Sequence, residues 1–518
     1  MRLESGTVAE KTLEIAPKSV EKTSKKLPND AILCHGAAQR APLLRRVPAR
    51  WLYWFTMFVG LASYGGFLFH PTTAGFGPDS WSYHDLAQTI FGDFYRPAIV
   101  RSFSQADGYS RSFPPLWPVV LGLLDQVCAA GPRLAVAAAA AAAMATILPL
   151  RQLASACIPG AAVGRWAAAG AWLGLLWFPA YWAEVRAGGT IPLAILLLTA
   201  GMASAVRGHL AGAGLLWGAV CMTRFDAAPV CALFLASFAW RYRLRPVSAG
   251  CMFLLFGLAV SPWIYYSKLR YGVLWASDNT VVATASTQVF VQDLRAPSGT
   301  LATEPARWLA RVARNSMKLA LAIVHAFSSQ PLFVLAIAAL FAARSGPGLS
   351  FGGPLAWFLA AALAGLAGCA LTGYVDRRYF SFLTMIGALW AMGAALRSTR
   401  QLRTALAFAA LLSPLAGLEW LREEFGGGQR SRRLPDSLRR ELQGQSGQTV
   451  VLADSLCYET GAVTRLTSVC LPTDWGVLTT RERESFLARF GVTHAIVPDG
   501  RGYRILRGPQ AELPVQDR

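Results

Sequence analysis

The dominant pattern along the chain is a series of apolar runs separated by short polar stretches. A helix of roughly 20 apolar residues crosses the hydrocarbon core of a bilayer with all its backbone groups bonded internally. The runs predict membrane-spanning helices near Trp51–Phe69, Leu134–Leu150, Ala161–Tyr181, Ile191–Val206, Leu210–Met222, Ala228–Trp240, Val247–Tyr266, Leu319–Phe341, Phe351–Leu371, Tyr379–Leu396 and Leu402–Trp420. We therefore predict an all-α polytopic membrane protein with about 11–12 transmembrane helices.

The apolar run Pro115–Ala130 does not fit the alternation of sides, and we predict a half-inserted or juxtamembrane helix there. If this run does cross the membrane, the assignment of a neighbouring segment as a span must be wrong. Lys and Arg are enriched in cytoplasmic loops, and this rule fixes the order of the later spans. It assigns to the cytoplasm Arg151, Arg165, Arg207, Arg241, Arg243, Arg245, Arg344, Arg397, Arg400 and Arg403.

This topology predicts three regions. Residues 1–50 form a basic cytoplasmic tail, residues 51–420 form the transmembrane domain with a first external loop at 70–114, and residues 421–518 lie outside the membrane. In the last region, T-V-V-L-A-D and T-H-A-I-V-P-D have the alternation of strands, and the amphipathic stretch Thr480–Phe490 lies between them. We expect a small C-terminal α/β domain there. It also contains Cys457 and Cys470, for which a disulfide is possible but not required.

The composition agrees with a membrane protein, since 54% of the residues are hydrophobic and only 15% are charged. The formal net charge of +20 raises the alternative of nucleic-acid binding. However, the Lys and Arg residues lie mainly in the N-terminal tail, the short loops and the C-terminal region, without interleaved aromatic residues. Membrane topology explains this distribution, and nucleic acid is not expected as a partner.

The first external loop contains the best candidate for chemistry. Its sequence G-P-D-S-W-S-Y-H-D-L-A-Q-T-I-F predicts a helix with Asp79, Tyr83, Leu86, Ala87 and Ile90 on one face. The first turn of a helix stabilises a carboxylate in its ionised form, which can accept a proton. The alternative is that Asp79 only caps the helix.

The other side of this helix carries His84 and Asp85, which point away from the Asp79 face. We expect Asp85 and the nearby Asp93 to be solvated, as on the polar side of an amphipathic surface helix.

The loop is followed by S-R-S-F-P-P-L-W-P, in which Pro114 and Pro115 fix an extended entry into an apolar helix. The succession of D-S-x-x-Y-x-x-x-A and P-P-L-x-P resembles the GT-C glycosyltransferase superfamily, in particular the protein-mannosyltransferase-like family that includes bacterial lipid A aminoarabinose transferases. The stretches G-L-L-W-G-A-V-C-M-T-R-F-D, S-P-W-I-Y-Y and D-R-R-Y-F are similar to that family in the same order. The resemblance covers most of residues 51–420.

The resemblance implies an inverting transferase whose donor is a polyprenyl-phosphate sugar. Asp79 would be the catalytic base that takes the proton of an acceptor hydroxyl, and polyprenyl phosphate would leave in a single displacement. For the phosphate we predict binding by the arginines at the outer ends of spans, Arg111, Arg224, Arg377 and Arg378, together with Tyr379. Alternatively, such arginines extend towards lipid phosphates.

Two positions depart from the aminoarabinose-transferase pattern. Phe113 stands where that branch has a Lys before the Pro-Pro, so that phosphate binding requires another residue such as Arg111. Ser80 stands where that branch has a Glu, which leaves one acid on this helix and gives no support for a metal site. No cofactor is therefore expected, and a divalent metal is the alternative.

Substrate contacts are predicted for Tyr83, on the Asp79 face, and for Trp263, which can stack on a sugar or lie in the interfacial aromatic belt. Glu184 lies in an external turn where the family often has an acidic residue, although the spacing equally allows Thr190 at that place.

The sequence thus predicts a glycosyltransferase that acts on the outer face of a bacterial inner membrane. The acceptor is a lipid or glycan of the envelope or a protein. The N-terminus is expected in the cytoplasm and the C-terminus in the periplasm or outside the cell. A lipid transporter or flippase is the alternative, and it predicts broken helices and ionisable residues at mid-membrane depth. An inactive scaffold with the same fold is a third possibility.

Overall fold

The computed structural model describes residues 77–92, 96–100, 110–128, 131–176, 178–241, 244–289, 293–294, 299–328, 354–374, 377–395, 434–445, 449–453, 456–472, 474–499 and 502–508, together with residues 58 and 62. The predicted basic tail at 1–50, nearly all of the predicted span Trp51–Phe69, the predicted span Leu402–Trp420 and Asp93 lie outside these residues.

The described part of the membrane region is helical, which confirms the predicted class. Its helices are α1 (Pro78–Thr89), α2 (Leu116–Cys128), α3 (Pro132–Ala145), α4 (Ile147–Cys157), α5 (Ala161–Leu176), α6 (Pro179–Ala187), α7 (Ile191–Val206), α8 (Leu210–Thr223), α9 (Ala228–Arg241), α10 (Pro246–Tyr271), α11 (Asp278–Thr284), α12 (Pro305–Ser328), α13 (Pro354–Gly365), α14 (Ala367–Thr372) and α15 (Ser381–Ala395). Two 3₁₀ turns, Phe225–Ala227 and Arg377–Phe380, precede α9 and α15.

Two described helices are long and apolar enough to cross a membrane. One is Arg133–Cys157, which comprises α3 and α4 as one stretch, and the other is α10. The pair Ala180–Ala187 and Ile191–Val206 is bent by 113°, and counted as one broken span it makes a third. Other predicted spans correspond to shorter apolar helices, namely Leu210–Thr223, Phe225–Trp240 and Trp357–Thr372. The predicted span Ala161–Tyr181 is divided between α5 and α6, with Pro179 in the first turn of α6.

Helix α2 has 13 residues, which corresponds to about 20 Å, and the helices α8 and α9 at two predicted spans are nearly as short. Helix α2 packs against α1. The juxtamembrane position of Pro115–Ala130 stays a prediction.

The bundle packs around α8, which contacts α7 and α10, and around α5, which contacts α4 and α15. Aromatic rings fill the space between helices. The ring of Trp217 on α8 lies 5.7 Å from that of Phe234 on α9, which in turn lies 5.1 Å from that of Phe358 on α13. This packing holds the helix ends that carry the polar residues described below.

The C-terminal region contains a small mixed sheet with helices, as predicted. It comprises α16 (Asp436–Gln443), β2 (Val450–Ala453), α17 (Cys457–Thr464), β3 (Thr467–Cys470), α18 (Thr480–Phe490), β4 (His494–Asp499) and β5 (Gly502–Arg507). Together with β1 (Ile99–Val100), the strand order is β1-β3-β2-β4-β5, with only the β4–β5 pair antiparallel. Cys457 and Cys470 form a disulfide, which the sequence had left open.

The first strand of this sheet, β1 (Ile99–Val100), comes from the first external loop and pairs with β3. The sequence did not predict this strand. The loop and the C-terminal region therefore share one sheet, and Trp81 of α1 packs in the same apolar cluster as Ile99 and Leu438.

The prediction that Asp85 is solvated is wrong. Its side chain is completely buried, accepts a hydrogen bond from the N–H of Ile99 at 3.0 Å and lies 3.3 Å from Nη1 of Arg465. His84 is also buried, with Nε2 at 2.9 Å from Nε2 of Gln88. The reason is that α17 packs on this side of α1. Helical periodicity identifies the polar side of a helix but not a distant segment that covers it.

Burial changes the acid–base properties of both side chains. It raises the pKa of Asp85 from 3.8 to about 6, against the opposing effects of the Ile99 N–H and of Arg465. It lowers the pKa of His84 below its usual 6.5.

Candidate functional site

Asp79 lies in the first turn of α1, close to the N-terminal end of this helix, which begins after Gly77. Gly77 is the N-cap, and its carbonyl accepts the N–H of Trp81 at 3.2 Å. The N-cap position is therefore occupied by Gly77 and not by Asp79. Its carboxylate instead forms an ion pair with Arg378, with Oδ2 at 3.1 Å from Nη1.

Arg378 joins two predicted acids. Its Nη1 also lies 3.0 Å from Oε1 of Glu184, so that one guanidinium nitrogen donates to carboxylates from α1 and α6. Arg378 is in the 3₁₀ turn before α15, which brings a third segment to the same point. Of the three side chains, that of Asp79 is the most exposed, at 37%, against 26% for Arg378 and 11% for Glu184. Asp79 is thus the carboxylate that a substrate can reach most easily.

The end of α6 explains how Glu184 reaches Arg378. Gly188 is the C-cap in the left-handed region, with φ of 68°, and its carbonyl accepts the indole N–H of Trp117 at 3.1 Å. A Cβ atom at Gly189 would lie 2.1 Å from Oε2 of Glu184, so that only glycine leaves room for the carboxylate. The Gly-Gly pair therefore allows Glu184 to fold back over the turn.

Arg224, at the C-cap of α8, is held beside this group. Its guanidinium makes two hydrogen bonds with Asp226, at 3.0 Å and 2.8 Å, and donates to Oγ of Thr190 at 3.1 Å. Glu184 and Thr190, the two alternatives for one predicted role, thus both contact arginines, Arg378 and Arg224 respectively.

Tyr379 lies between the two arginines. Cζ of Arg224 is 5.0 Å and Cζ of Arg378 is 5.6 Å from the centroid of its ring, distances typical of cation–π contacts. Tyr83 of α1 is buried in the apolar core. Burial raises the pKa of Tyr83 above its usual 10, so its hydroxyl stays protonated and can donate.

We call Asp79, Glu184, Thr190, Arg224, Asp226, Arg378 and Tyr379 the arginine–carboxylate cluster. Three carboxylates face two guanidinium groups, which leaves one net negative charge. Such a group can accept a proton at a carboxylate and can donate several N–H groups to an incoming oxyanion. Among the described residues, no group of three or more His, Cys, Asp or Glu side chains is arranged to bind a metal ion.

The structure pairs Arg111, a further predicted residue, with side chains that do not belong to the cluster. Nε of Arg111 forms an ion pair at 2.5 Å with Asp278, the first residue of α11, and Arg111 also lies 5.9 Å from the ring of Tyr271. Ser112 hydrogen-bonds to the same carboxylate. The side chain of Arg377 lies outside the described part of the chain. Phosphate binding by these two arginines stays a prediction.

Trp263 is buried and not exposed at the outer surface. Its indole N–H donates to the carbonyl of Ala276 at 3.2 Å, and its ring packs 4.8 Å from Phe225 and 5.1 Å from Tyr266. In this structure it therefore supports the turn that follows Arg224, and a sugar contact of Trp263 stays a prediction.

Sequence reasoning missed Asp226 and Asp278 as partners of the arginines. Asp226 is only two residues from Arg224 in R-F-D, a spacing that could have indicated the pair. Asp278 is separated from Arg111 by 167 residues, and no local signal indicates their contact.

Comparison with solved structures shows which fold carries this cluster. The chain superposes on ArnT from Cupriavidus metallidurans, the lipid A aminoarabinose transferase, bound to undecaprenyl phosphate, with a TM-score of 0.56, 12% identity, and 90% of this chain and 100% of that chain covered. The apo form of the same protein gives a TM-score of 0.55 with 14% identity, covering 87% and 94%.

The oligosaccharyltransferase from Archaeoglobus fulgidus in complex with Zn and sulfate is also similar, with a TM-score of 0.54, 13% identity, and 86% of this chain and 67% of that chain covered. The same archaeal enzyme, AglB, in complex with an inhibitory peptide and a dolichol-phosphate, gives a TM-score of 0.51 at 11% identity, covering 86% and 69%. No protein-family profile and no curated protein matches the sequence. Both enzymes are GT-C superfamily members, so the predicted resemblance to that superfamily is confirmed at the level of the fold.

Proposed function

We propose that the chain is an integral-membrane inverting glycosyltransferase that moves a sugar from a polyprenyl-phosphate donor to an acceptor outside the cytoplasm. The acceptor is a lipid or glycan of the envelope or a protein. The observation that carries the proposal is the accessible carboxylate of Asp79, held 3.1 Å from Arg378 among helix ends of a GT-C-like bundle.

The structural relatives support the class of donor. ArnT was crystallised with undecaprenyl phosphate and AglB with a dolichol-phosphate, which are both polyprenyl phosphates. We assign the same class of lipid to this chain because the fold is shared over most of both chains and because Arg224 and Arg378 stand at helix ends beside Asp79.

In the proposed reaction, the oxygen of an acceptor hydroxyl attacks the anomeric carbon of the donor from the side opposite the phosphate. The new carbon–oxygen bond forms as the bond from that carbon to the phosphate oxygen breaks, so that the configuration is inverted. Oδ of Asp79 takes the hydroxyl proton, and polyprenyl phosphate leaves with the electron pair. One base is sufficient, since phosphate is already a good leaving group.

The arginines would stabilise the leaving phosphate. Arg378 and Arg224 flank Tyr379, and their N–H groups now donate to Asp79, Glu184 and Asp226. A phosphate that takes over the hydrogen bond of Arg378 to Asp79 would release this carboxylate to act as base. Because the cluster carries one net negative charge, further cations are needed for a dianion, and we assign Arg111 and Arg377 to this task.

The proposal includes no cofactor, because guanidinium groups supply the positive charge that the leaving group needs. It places the protein in a bacterial inner membrane with the cluster on the outer side, in agreement with the distribution of arginines in the sequence.

The broken pair α6 and α7 is the feature that favours a transporter, since interrupted helices are typical of transport sites. Here, however, the break builds the cluster: Glu184 on one side contacts Arg378, and Thr190 on the other contacts Arg224. A transporter would move labelled polyprenyl phosphate across vesicles without transferring sugar.

The test is transfer of radiolabelled sugar from polyprenyl-phosphate donors in membranes that contain the wild type, Asp79→Asn or Asp436→Asn. Asp436 is a matched control, because it is also an acid in the first turn of a helix but is exposed and remote in sequence from the cluster. We expect Asp79→Asn to lower transfer at least about 100-fold, the usual contribution of a general base, and Asp436→Asn to have no effect. Full activity of Asp79→Asn at equal abundance would exclude Asp79 as the base.

A further inference from the structure

A second polar site lies at the opposite end of the bundle from the arginine–carboxylate cluster. It is a cavity of about 480 Å³ between α4, the beginning of α5 and the end of α7. Helix α4 packs against both of the others. Helix α7 begins after Thr190, which belongs to the cluster, and ends before Arg207, which lines the cavity. Its 16 residues separate the two sites by about 24 Å.

Three arginines from three segments meet in this cavity: Arg151 on α4, Arg165 on α5 and Arg207 after α7. The other polar lining residues are Gln152 and Ser155, and none of the described residues that line the cavity is acidic. The sequence contains no Asp or Glu between residues 126 and 183. The described lining of the cavity therefore carries the positive charge of three guanidinium groups.

The cavity also has an apolar edge. Leu148 lines it and remains 57% exposed, one turn before Arg151 on the same helix. Nε of Arg165 donates to the carbonyl of Ala161 at 3.2 Å, which fixes the side chain at the start of α5. Cationic groups above an exposed apolar side chain match a ligand with a negatively charged head and a hydrocarbon body.

We propose that this cavity binds the phosphate headgroup of an anionic phospholipid in the leaflet opposite the proposed catalytic face. Guanidinium groups bind phosphate through two parallel hydrogen bonds, and basic pockets between transmembrane helices are known sites for anionic headgroups. The acyl chains would extend from Leu148 towards α3, the alanine-rich helix that precedes it in the same apolar stretch. The site does not depend on the transfer reaction proposed above.

Binding can be measured with the full-length protein in phosphatidylcholine nanodiscs, to which phosphatidylglycerol is added and bound lipid is counted by native mass spectrometry. Each of Arg151→Gln, Arg165→Gln and Arg207→Gln is expected to weaken phosphatidylglycerol binding about fivefold, and the triple variant about 100-fold. Arg207→Lys keeps the charge but loses the planar fork, and an intermediate loss is expected.

The matched control is Arg245→Gln, which removes an exposed arginine at the start of α10 that does not line the cavity. Unchanged binding in this control and the graded loss in the other variants would support the site. Equal binding by the triple variant, or an equal loss in Arg245→Gln, would overturn it. So would phosphatidylcholine that binds as well as phosphatidylglycerol, or binding of inorganic phosphate alone. The single variants keep the test decisive if the triple variant does not fold.

Discussion

The buried carboxylate of Asp85 joins the helix that carries Asp79 to the C-terminal region, and its substitution tests this junction. One oxygen accepts the N–H of Ile99 at 3.0 Å, and the other lies 3.3 Å from Arg465. The Asp85 side chain is fully buried, whereas that of Arg465 is 45% exposed. The ion pair is therefore partly screened by water and contributes at most about 1 kcal/mol. This ion pair does not compensate for the hydration that the Asp85 carboxylate loses on burial, and the pKa of Asp85 therefore rises to about 6.

The sign of the pH dependence follows from this shift. Since the pKa is about 6 in the folded chain and 3.8 in the reference state, the folded chain binds more protons than the unfolded one between these values. The stability that protonation of Asp85 provides is fully present below 3.8 and is lost as the pH rises through about 6. A shift of about two units corresponds to roughly 3 kcal/mol.

Asp85→Asn removes the titration and keeps an oxygen for the Ile99 N–H. The difference in unfolding free energy, wild type minus Asp85→Asn, should fall by roughly 3 kcal/mol as the pH rises from about 4 to about 7. Loss of the Arg465 pair adds an offset of at most about 1 kcal/mol. In contrast, Asp85→Ala leaves the Ile99 N–H without its acceptor and should cost about 1–3 kcal/mol at every pH.

The assay is thermal unfolding of the purified full-length protein in detergent, followed by intrinsic fluorescence at several pH values. Asp436→Asn is the control, because its exposed carboxylate should leave the pH profile parallel to that of the wild type. If Asp85→Asn also gives a parallel profile, Asp85 does not titrate as a buried group, and the reasoning about the junction fails.

Three further results are expected, each for a different part of the molecule. Arg378→Lys keeps a charge but cannot reproduce the guanidinium geometry between Asp79 and Glu184, and kcat for sugar transfer should fall about 10²–10³-fold, measured with saturating donor. Arg111→Gln leaves the nearly buried Asp278 without its ion pair, so that the free energy of unfolding should fall by about 1–3 kcal/mol in the thermal assay, and a higher KM for the donor would support a role in phosphate binding. Addition of a chelator should leave transfer unchanged, whereas a loss that Mg²⁺ restores would show that a metal takes part.

The fold could be predicted from the sequence to the extent that the bilayer determines it. Long apolar runs and arginine-rich connections indicate the helical bundle. The reason is that a chain crosses the hydrocarbon core as an apolar helix, and its cytoplasmic connections are rich in Lys and Arg. In the C-terminal region, alternation indicated β2 and β4, and α18 has the predicted bounds Thr480–Phe490. Strand β1 has only two residues, too few for any periodicity to appear, and it exists because β3 pairs with it.

The site was accessible to sequence reasoning because its residues lie at helix ends on one side of the predicted bundle. Asp79, Glu184, Arg224, Arg378 and Tyr379 are all in one cluster in the structure. Which acid meets which arginine was not predicted. Asp79 and Arg378 are 299 residues apart, and such pairs depend on the packing of helices, which local spacing does not contain.

Asp79 and Asp85 illustrate how different the environments of two carboxylates on one helix can be. Six residues apart on an α-helix, they point in directions that differ by about 120°. One reaches Arg378 at the arginine–carboxylate cluster, and the other reaches Arg465 of the C-terminal region, between α17 and β3. Helix α1 is thus held on two sides by segments far away in the sequence. Because a rigid helix transmits any displacement along its length, the C-terminal region helps to determine where Asp79 stands relative to Arg378. Weakening the contact between Asp85 and Arg465 should therefore impair sugar transfer, even though the contacts of Asp85 with Ile99 and Arg465 lie outside the arginine–carboxylate cluster.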